Sequence, residues 1–253
     1  MKVGFFICLI TFLSLYLLKE IKHTMTTIGK RATKILNLKQ FGKKNKAELV
    51  SKHFLETPTE RQYVLRMLIK KPFTDFLIPD NLKWCEQLIN DAYDNQLQND
   101  IRQPFCYLTV RSGVVNTSKD DEWHADGFSM NVTHIPEQNY IWADCFPTEV
   151  IYKKFKIPAD FNPFRHNIHL FFQDSIGQED KIKVLKPNLL YCLDPYVIHR
   201  RPPISEGTQR TFVRVSFTPI EIDDFNNTIN PLLPTFYVRD GLAYRNSLTR
   251  YGI

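Results

Sequence analysis

Three residues of this chain have the types and the order of a metal-binding site. His124 and Asp126 are two positions apart, so on an extended chain their side chains project from the same face. His199 comes much later, just past a turn at Asp194-Pro195. The spacing therefore predicts that His124 and Asp126 can bind one metal ion together.

A strand-like segment that follows His199 carries two arginines in an otherwise apolar pattern. Its alternate residues share one face: Arg210, Phe212, Arg214 and Ser216. An arginine on the inner face of a core strand is costly unless its charge meets a buried anion. The pattern therefore predicts that an anion is bound beside this strand.

Together these elements resemble the Fe(II)- and 2-oxoglutarate-dependent oxygenase superfamily, which carries an H-x-D motif, a distant His and then an Arg. The matching residues are His124, Asp126, His199 and Arg210, and the resemblance covers about residues 100–220. It implies that His124, Asp126 and His199 bind one Fe(II) ion, because two imidazoles and one carboxylate suit this ion and leave coordination positions open. It implies a double-stranded β-helix, which is a jelly-roll core. It also implies a dioxygenase that uses Fe(II), O₂ and 2-oxoglutarate, hydroxylates or demethylates its substrate, and releases succinate.

The resemblance further implies which side chains bind the co-substrate. Arg210 offers a guanidinium fork for the far carboxylate of 2-oxoglutarate, and its charge is available at any working pH. Arg214 and Ser216 form an R-x-S pair that some branches of the superfamily use for the same purpose. The choice between the two arginines stays open, with Arg210 preferred for its interval from His199. Tyr107 is a further candidate contact.

Other interpretations of these residues remain available. The first alternative is a catalytically silent β-helix scaffold or binding module held at a membrane, and the second is a cupin-like metalloenzyme that does not use 2-oxoglutarate. Retention of a full ligand set argues against the first, and the inward arginines argue against the second. His169 flanks an apolar run and is expected to be a hydrogen-bonded core residue. Trp123 is expected either to line the substrate pocket or to pack in the core.

The surrounding elements predict an α+β fold with N-terminal helices packed on the β core. Thr57-Pro58-Thr59-Glu60 is a capping box that predicts a helix to about Lys70, and Asp80 precedes a second helical pattern. Short runs rich in aromatic and β-branched residues follow, which predicts strands. These runs are residues 105–111, 140–146, 168–172, 189–193 and 211–217.

The N-terminal segment predicts a membrane anchor followed by a basic linker. Residues 3–18 are an apolar run, and Lys and Arg lie mostly on its C-terminal side, so the positive-inside rule places the body in the cytoplasm. The predicted organisation is an anchor in residues 1–24, a linker in 25–52 and one oxygenase-like domain in 53–253. The alternative is that Met25 is the true start.

The distribution of charge argues against nucleic acid as the partner. The net charge is +6, but residues 19–52 hold 10 basic and 2 acidic side chains, whereas residues 53–253 hold 22 basic and 25 acidic ones. The body therefore carries a net charge of −3 (22 − 25) and presents no overall basic surface. The substrate is unidentified at this point, because loops around the barrel mouth select it.

Overall fold

The computed structural model describes residues 38–43, 45–115, 121–127, 137–162, 165–222, 224 and 226–233. Within these ranges the chain forms two antiparallel sheets, a larger and a smaller one. The larger sheet contains β1 (Glu48–Lys52), β2 (Gln62–Lys70), β3 (Phe105–Val114), β4 (Gln138–Ala143), β7 (Leu189–Leu193) and β9 (Gln209–Thr218). The smaller sheet contains β5 (Glu149–Ile151), β6 (Ile182–Val184) and β8 (Ile198–Arg200). The strand orders are β1-β7-β4-β9-β3-β2 and β6-β5-β8.

Few helices accompany these sheets in the described part of the chain. They are α1 (Glu86–Gln98), α2 (Ile168–Ser175) and two short 3₁₀ helices, Leu38–Gly42 and Asp80–Cys85. The sequence prediction of a helix after Asp80 is therefore confirmed. The described residues form a mostly antiparallel β structure, as in a β-sandwich or jelly roll.

The main hydrophobic core lies between α1 and one face of the larger sheet. Leu88, Ile89 and Ala92 recur on one side of α1 and are fully buried against that sheet. Strand β9 contributes Val213 and Val215 to this core. Because side chains alternate along a strand, the intervening residues of β9 are directed to the opposite face of the sheet, where the polar site lies.

The pairing of β3 with β9 sets which residues meet on that polar face. Their ladder is continuous over ten residue pairs and places Thr109 opposite Arg214 and Gly113 opposite Arg210. Because this register is unbroken, the positions of the two arginines of β9 relative to β3 are fixed.

The helix predicted from the capping box at residue 57 is wrong, because residues 62–70 form strand β2. A capping box is a local signal, whereas β2 is stabilised by pairing with β3, about 40 positions further along the chain. The register of β2 shifts between Val64 and Met67, and Arg66 adopts a positive φ of 44° there. This irregularity, typical of a β-bulge, directs the Arg66 side chain to the polar face.

The strand predicted at residues 168–172 is also wrong, because this segment is helix α2. Asn167 caps the helix: its side-chain oxygen accepts a hydrogen bond from the backbone N–H of His169 at 3.0 Å. The other four predicted strands are confirmed as β3, β4, β7 and β9.

The larger sheet also extends beyond the predicted β core of residues 100–220. Strands β1 and β2 both precede residue 100, and β1 lies at the end of the stretch predicted as a linker. The apolar run of residues 3–18 lies outside the described residues. In the part of the chain that the structure describes, no helix combines the length and the apolar character needed to cross a membrane.

Candidate metal centre

His124 and His199 are held directly opposite each other by a two-way backbone bridge. The N–H of each residue donates to the carbonyl oxygen of the other at 2.9 Å. His199 belongs to β8, so the bridge fastens the segment around His124 to the smaller sheet. The two imidazole rings consequently lie side by side, with centroids 4.4 Å apart.

Hydrogen bonds to the backbone determine which nitrogen of each ring is free to bind a metal. His124 Nδ1 lies 2.8 Å from the carbonyl oxygen of Glu122, and His199 Nδ1 lies 2.9 Å from that of Val197. A carbonyl oxygen only accepts, so each Nδ1 must donate its hydrogen. In a neutral imidazole the Nε2 atom then keeps its lone pair, which is the form of histidine that binds metals.

Asp126 completes the group with a carboxylate that is fully held in place. Asn139 Nδ2 donates to Asp126 Oδ2 at 2.9 Å, and Arg214 Nη1 donates to Oδ1 at 3.2 Å. Burial by itself raises the pKa of Asp126, but the charge of Arg214, followed by the interaction with His199, brings this pKa well below its usual value. Asp126 is therefore an anion throughout the physiological pH range.

The approach of His199 to Asp126 requires a positive charge between them. His199 Nε2 lies 3.3 Å from Asp126 Oδ2, and the Nδ1 hydrogen of His199 is already committed to Val197. Two hydrogen-bond acceptors at this separation repel each other unless a proton or a metal ion lies beside them. Two ligands bound at right angles, each about 2.1 Å from one metal ion, lie about 3 Å apart. The spacing therefore fits a shared metal ion.

His124 has the electrostatic properties of a neutral ligand. Burial, followed by the charge of the neighbouring His199, lowers the pKa of His124 to about 4. One ligand atom from each of His124, Asp126 and His199 lies within 4.8 Å of the others. The three residues selected from the sequence thus come together as a group that can hold a divalent metal ion.

The metal-binding group opens into a pocket of about 420 Å³ whose walls are rich in arginine. Six arginines line the pocket: Arg66, Arg111, Arg200, Arg201, Arg210 and Arg214. Three carboxylates accompany them: Glu122, Asp126 and Glu137. The pocket is therefore suited to an anionic ligand bound beside the metal.

Arg210 lies in the wall of this pocket as a buried cation. Its Nε donates to the carbonyl oxygens of Cys145 and Phe146 at 3.3 and 3.1 Å, and its guanidinium lies 5.1 Å from the ring centre of Phe212. Burial lowers the pKa of Arg210 to about 10. Arg210 is therefore still charged at neutral pH, and it is oriented by the backbone and an aromatic ring.

Ser216 and Tyr107, the other predicted co-substrate contacts, are not among the residues that line the pocket. The Ser216 hydroxyl donates to Asn139 Oδ1, and Asn139 in turn donates to Asp126. Ser216 therefore supports the metal-binding carboxylate through Asn139. The Tyr107 hydroxyl accepts a hydrogen bond from the backbone N–H of Ile222, and its ring packs in a small cluster with Leu68.

Two further aromatic side chains from the sequence analysis lie close to the site. His169 lines the pocket, and its ring is nearly parallel to that of His124 at a centroid distance of 5.9 Å. Trp123 is buried, and the guanidinium of Arg200 lies over its ring, 4.5 Å from the ring centre, as in a cation–π contact. Arg200 also donates to Glu149 at 2.7 Å, so this arginine is neutralised by a carboxylate.

Sequence reasoning missed Arg66, Glu137 and Asn139. Arg66 forms a buried ion pair with Glu137, and both side chains line the pocket. An arginine inside the apolar run of residues 63–69 is a signal of a buried ion pair, but the capping box at residue 57 predicts a helix over this segment. Glu137 and Asn139 flank the start of β4, and nothing in their local sequence marks them as partners of Arg66 and Asp126.

Comparison with known proteins adds no family assignment. No protein-family model matches the chain, and no curated protein matches it. Among solved structures, AviO1 from Streptomyces viridochromogenes Tue57 matches with 13% identity and a TM-score of 0.36, over 80% of this chain and 85% of that chain. EvdMO1 matches with 12% identity and a TM-score of 0.34, over 77% of this chain and 44% of that chain. Likeness at this level carries no functional argument, so function rests on the site itself.

Proposed function

We propose that this protein is an Fe(II)- and 2-oxoglutarate-dependent oxygenase that hydroxylates or demethylates its substrate. The observation that carries the proposal is the convergence of His124, Asp126 and His199, with the Nδ1 atom of each histidine hydrogen-bonded to a backbone carbonyl oxygen. Two imidazoles and one carboxylate are the ligand set of non-haem Fe(II) oxygenases. When bound, the iron would supply the electrons that activate O₂.

The residues around the ligands have distinct tasks in this proposal. The backbone carbonyls of Glu122 and Val197 fix the two imidazoles with Nε2 directed at the metal. Asn139 and Arg214 hold the Asp126 carboxylate by one oxygen each. This support keeps the ligands arranged while substrate and product exchange.

Arg210 is the residue that we assign to the far carboxylate of 2-oxoglutarate. It lies in the pocket wall on β9, it is charged at neutral pH, and its orientation is already determined by Cys145 and Phe146. A preoriented guanidinium forms a charged, two-point contact with a carboxylate at little entropic cost. The two antiparallel sheets on either side of the pocket support the double-stranded β-helix that the sequence resemblance implies.

Anaerobic spectroscopy tests this proposal. Fe(II) and 2-oxoglutarate are added to the full chain separately and together, and we expect a weak visible charge-transfer band only when both are present. His124→Ala should remove the band. His166→Ala is the matched control, since His166 lies outside the pocket and should leave the band intact.

Other outcomes favour the alternative functions. Metal binding without a band and without succinate formation would favour a cupin-like metalloenzyme that does not use 2-oxoglutarate. Absence of metal binding in the wild-type chain would favour the catalytically silent binding module.

A further inference from the structure

Strand β2 is the outermost strand of the larger sheet, and residues 226–233, here termed the strap, lie along its free edge. The backbone N–H of Thr228 donates to the carbonyl oxygen of Leu65 at 2.7 Å, and the N–H of Leu65 donates to the Thr228 hydroxyl oxygen at 2.8 Å. An outermost strand otherwise leaves such backbone groups without a protein partner. This two-way contact therefore attaches the strap to β2.

Asn230 forms a second attachment and is fully buried. Its Nδ2 atom donates to the carbonyl oxygens of Leu68 and Leu77, both at 2.8 Å, and its Oδ1 atom accepts from the backbone N–H of Leu232 at 2.9 Å. Both amide hydrogens and the amide oxygen thus have partners. A buried polar group that is satisfied in this way makes the surrounding structure more rigid.

The two attachments lie on either side of the bulge in β2. Thr228 contacts Leu65 on one side. Asn230 contacts Leu68 on the other. Arg66 lies between these two positions, with its positive φ of 44°. Residues other than glycine keep such a backbone conformation only where the surrounding structure imposes it, and the strap is part of that structure.

Arg66 connects this bulge to the metal pocket. Its guanidinium pairs with Glu137, and both side chains line the pocket. Burial, followed by the charge of Arg214, lowers the pKa of Arg66 to about 10. The charges of Asp126 and Asp224 oppose this shift. Arg66 therefore interacts both with the metal-binding carboxylate and with an acidic residue that lies just before the strap.

We propose that the strap is a positioning element of the metal pocket, because Thr228 and Asn230 hold the bulge that keeps Arg66 directed into it. If the bulge relaxes, Arg66 leaves the pocket and Glu137 remains there without its cation. A pocket changed in this way binds an anion less tightly, whereas it binds a metal cation no less tightly. The functional part of this inference rests on the proposed function, since the anion concerned is 2-oxoglutarate.

Hydrogen exchange tests the positioning role without iron or 2-oxoglutarate. Thr228→Val removes the oxygen that accepts from Leu65 and keeps nearly the same volume, so exchange should accelerate at Leu65 and also at the start of β4, where Glu137 loses its partner. Thr228→Ser keeps the hydroxyl and should keep both rates. Thr74→Val is the matched control, because the Thr74 hydroxyl also accepts from a backbone N–H, that of Lys71. Unchanged exchange at the start of β4 in Thr228→Val would overturn the proposal.

Anaerobic titration measures the effect on the two ligands. In Thr228→Val the Kd for 2-oxoglutarate with Fe(II) present should rise at least about fivefold, while the Kd for Fe(II) should not rise. Thr228→Ser and Thr74→Val should keep both values. An unchanged Kd for 2-oxoglutarate, or an equal weakening of both ligands as in a general loss of structure, would contradict the positioning role. If the wild-type chain binds no 2-oxoglutarate, the oxygenase proposal fails, and hydrogen exchange alone then decides the role of the strap.

Discussion

Arg210 and Arg214 lie on the same face of β9, but their guanidinium groups have different surroundings. Arg210 donates to two backbone carbonyls in the pocket wall, whereas Arg214 donates to the Asp126 carboxylate. Residues four apart on a strand are separated by about 13 Å, so one small co-substrate does not need both for the same carboxylate. The structure thus suits a division of tasks between them.

This division predicts different effects of lysine at the two positions. Arg210→Lys keeps the charge but loses the fork, and the KM for 2-oxoglutarate should rise about tenfold or more, as expected for the loss of one charged hydrogen bond. Arg214→Lys should change this KM little, because lysine can still donate to Asp126. Steady-state succinate formation measures both values. The opposite pattern would assign the co-substrate to Arg214 and Ser216.

The convergence of the three candidate metal ligands could be predicted from the sequence because their types and order resemble a known pattern. His124 and Asp126 are neighbours in sequence, and His199 follows a recognisable turn and strand. Asn139 and Glu137 have no such signal, since their roles depend on contacts with strands that are distant in sequence. Supporting residues of this kind become visible only when the strand pairing is known.

At the level of the elements, prediction succeeded where local pattern and long-range pairing agree. Strand β7 is a continuous apolar run, one face of β9 is apolar, and α1 has a clear buried face. Prediction failed at β2, where the capping box suggested a helix, and at α2, where aromatic residues suggested a strand. In both cases the deciding interaction was overlooked: pairing of β2 with β3, and the Asn167 cap of α2.

The bulge in β2 positions Arg66 for an ion pair that links distant strands. Arg66 pairs with Glu137 at the start of β4, and in the sheet β9 and β3 lie between these two strands. Both side chains are buried, at 7% and 1% exposure. A buried pair of this kind stabilises a fold mainly because removal of either charge leaves the other uncompensated.

The ion pair predicts a measurable loss of stability in Glu137→Gln. The free energy of unfolding should fall by about 3 kcal/mol or more, because the Arg66 charge is left buried without its carboxylate. The double variant Arg66→Met/Glu137→Gln should recover part of this loss. Chemical denaturation measures both. A change within about 0.5 kcal/mol in Glu137→Gln, as for an ordinary surface substitution, would show that the pair contributes little.

On the scale of the whole molecule, the larger sheet separates two environments. One face packs against α1 and forms the apolar core, and the other lines the pocket in which the candidate metal ligands lie. Positive charge is concentrated in this pocket although residues 53–253 carry a net charge of −3. We therefore propose that small anionic ligands, and not nucleic acid, bind here.

The N-terminal apolar run makes a prediction for the full chain. We propose that residues 3–18 attach the protein to a membrane with its body in the cytoplasm, as the flanking basic residues suggest. The full chain should therefore sediment with membranes, whereas a version that begins at Met25 should remain in the supernatant. Equal partition of the two versions in a membrane fractionation would contradict the anchor and favour Met25 as the true start.

Anaerobic titration of Fe(II) into the full chain, followed by calorimetry, tests the central claim most directly. We expect one Fe(II) per chain in the wild type and in the His166→Ala control, and no binding at this site in Asp126→Asn or His199→Ala. Thermal unfolding confirms that each variant is folded before the titration. Unchanged Fe(II) binding by folded Asp126→Asn and His199→Ala variants would contradict the assignment of the metal to His124, Asp126 and His199.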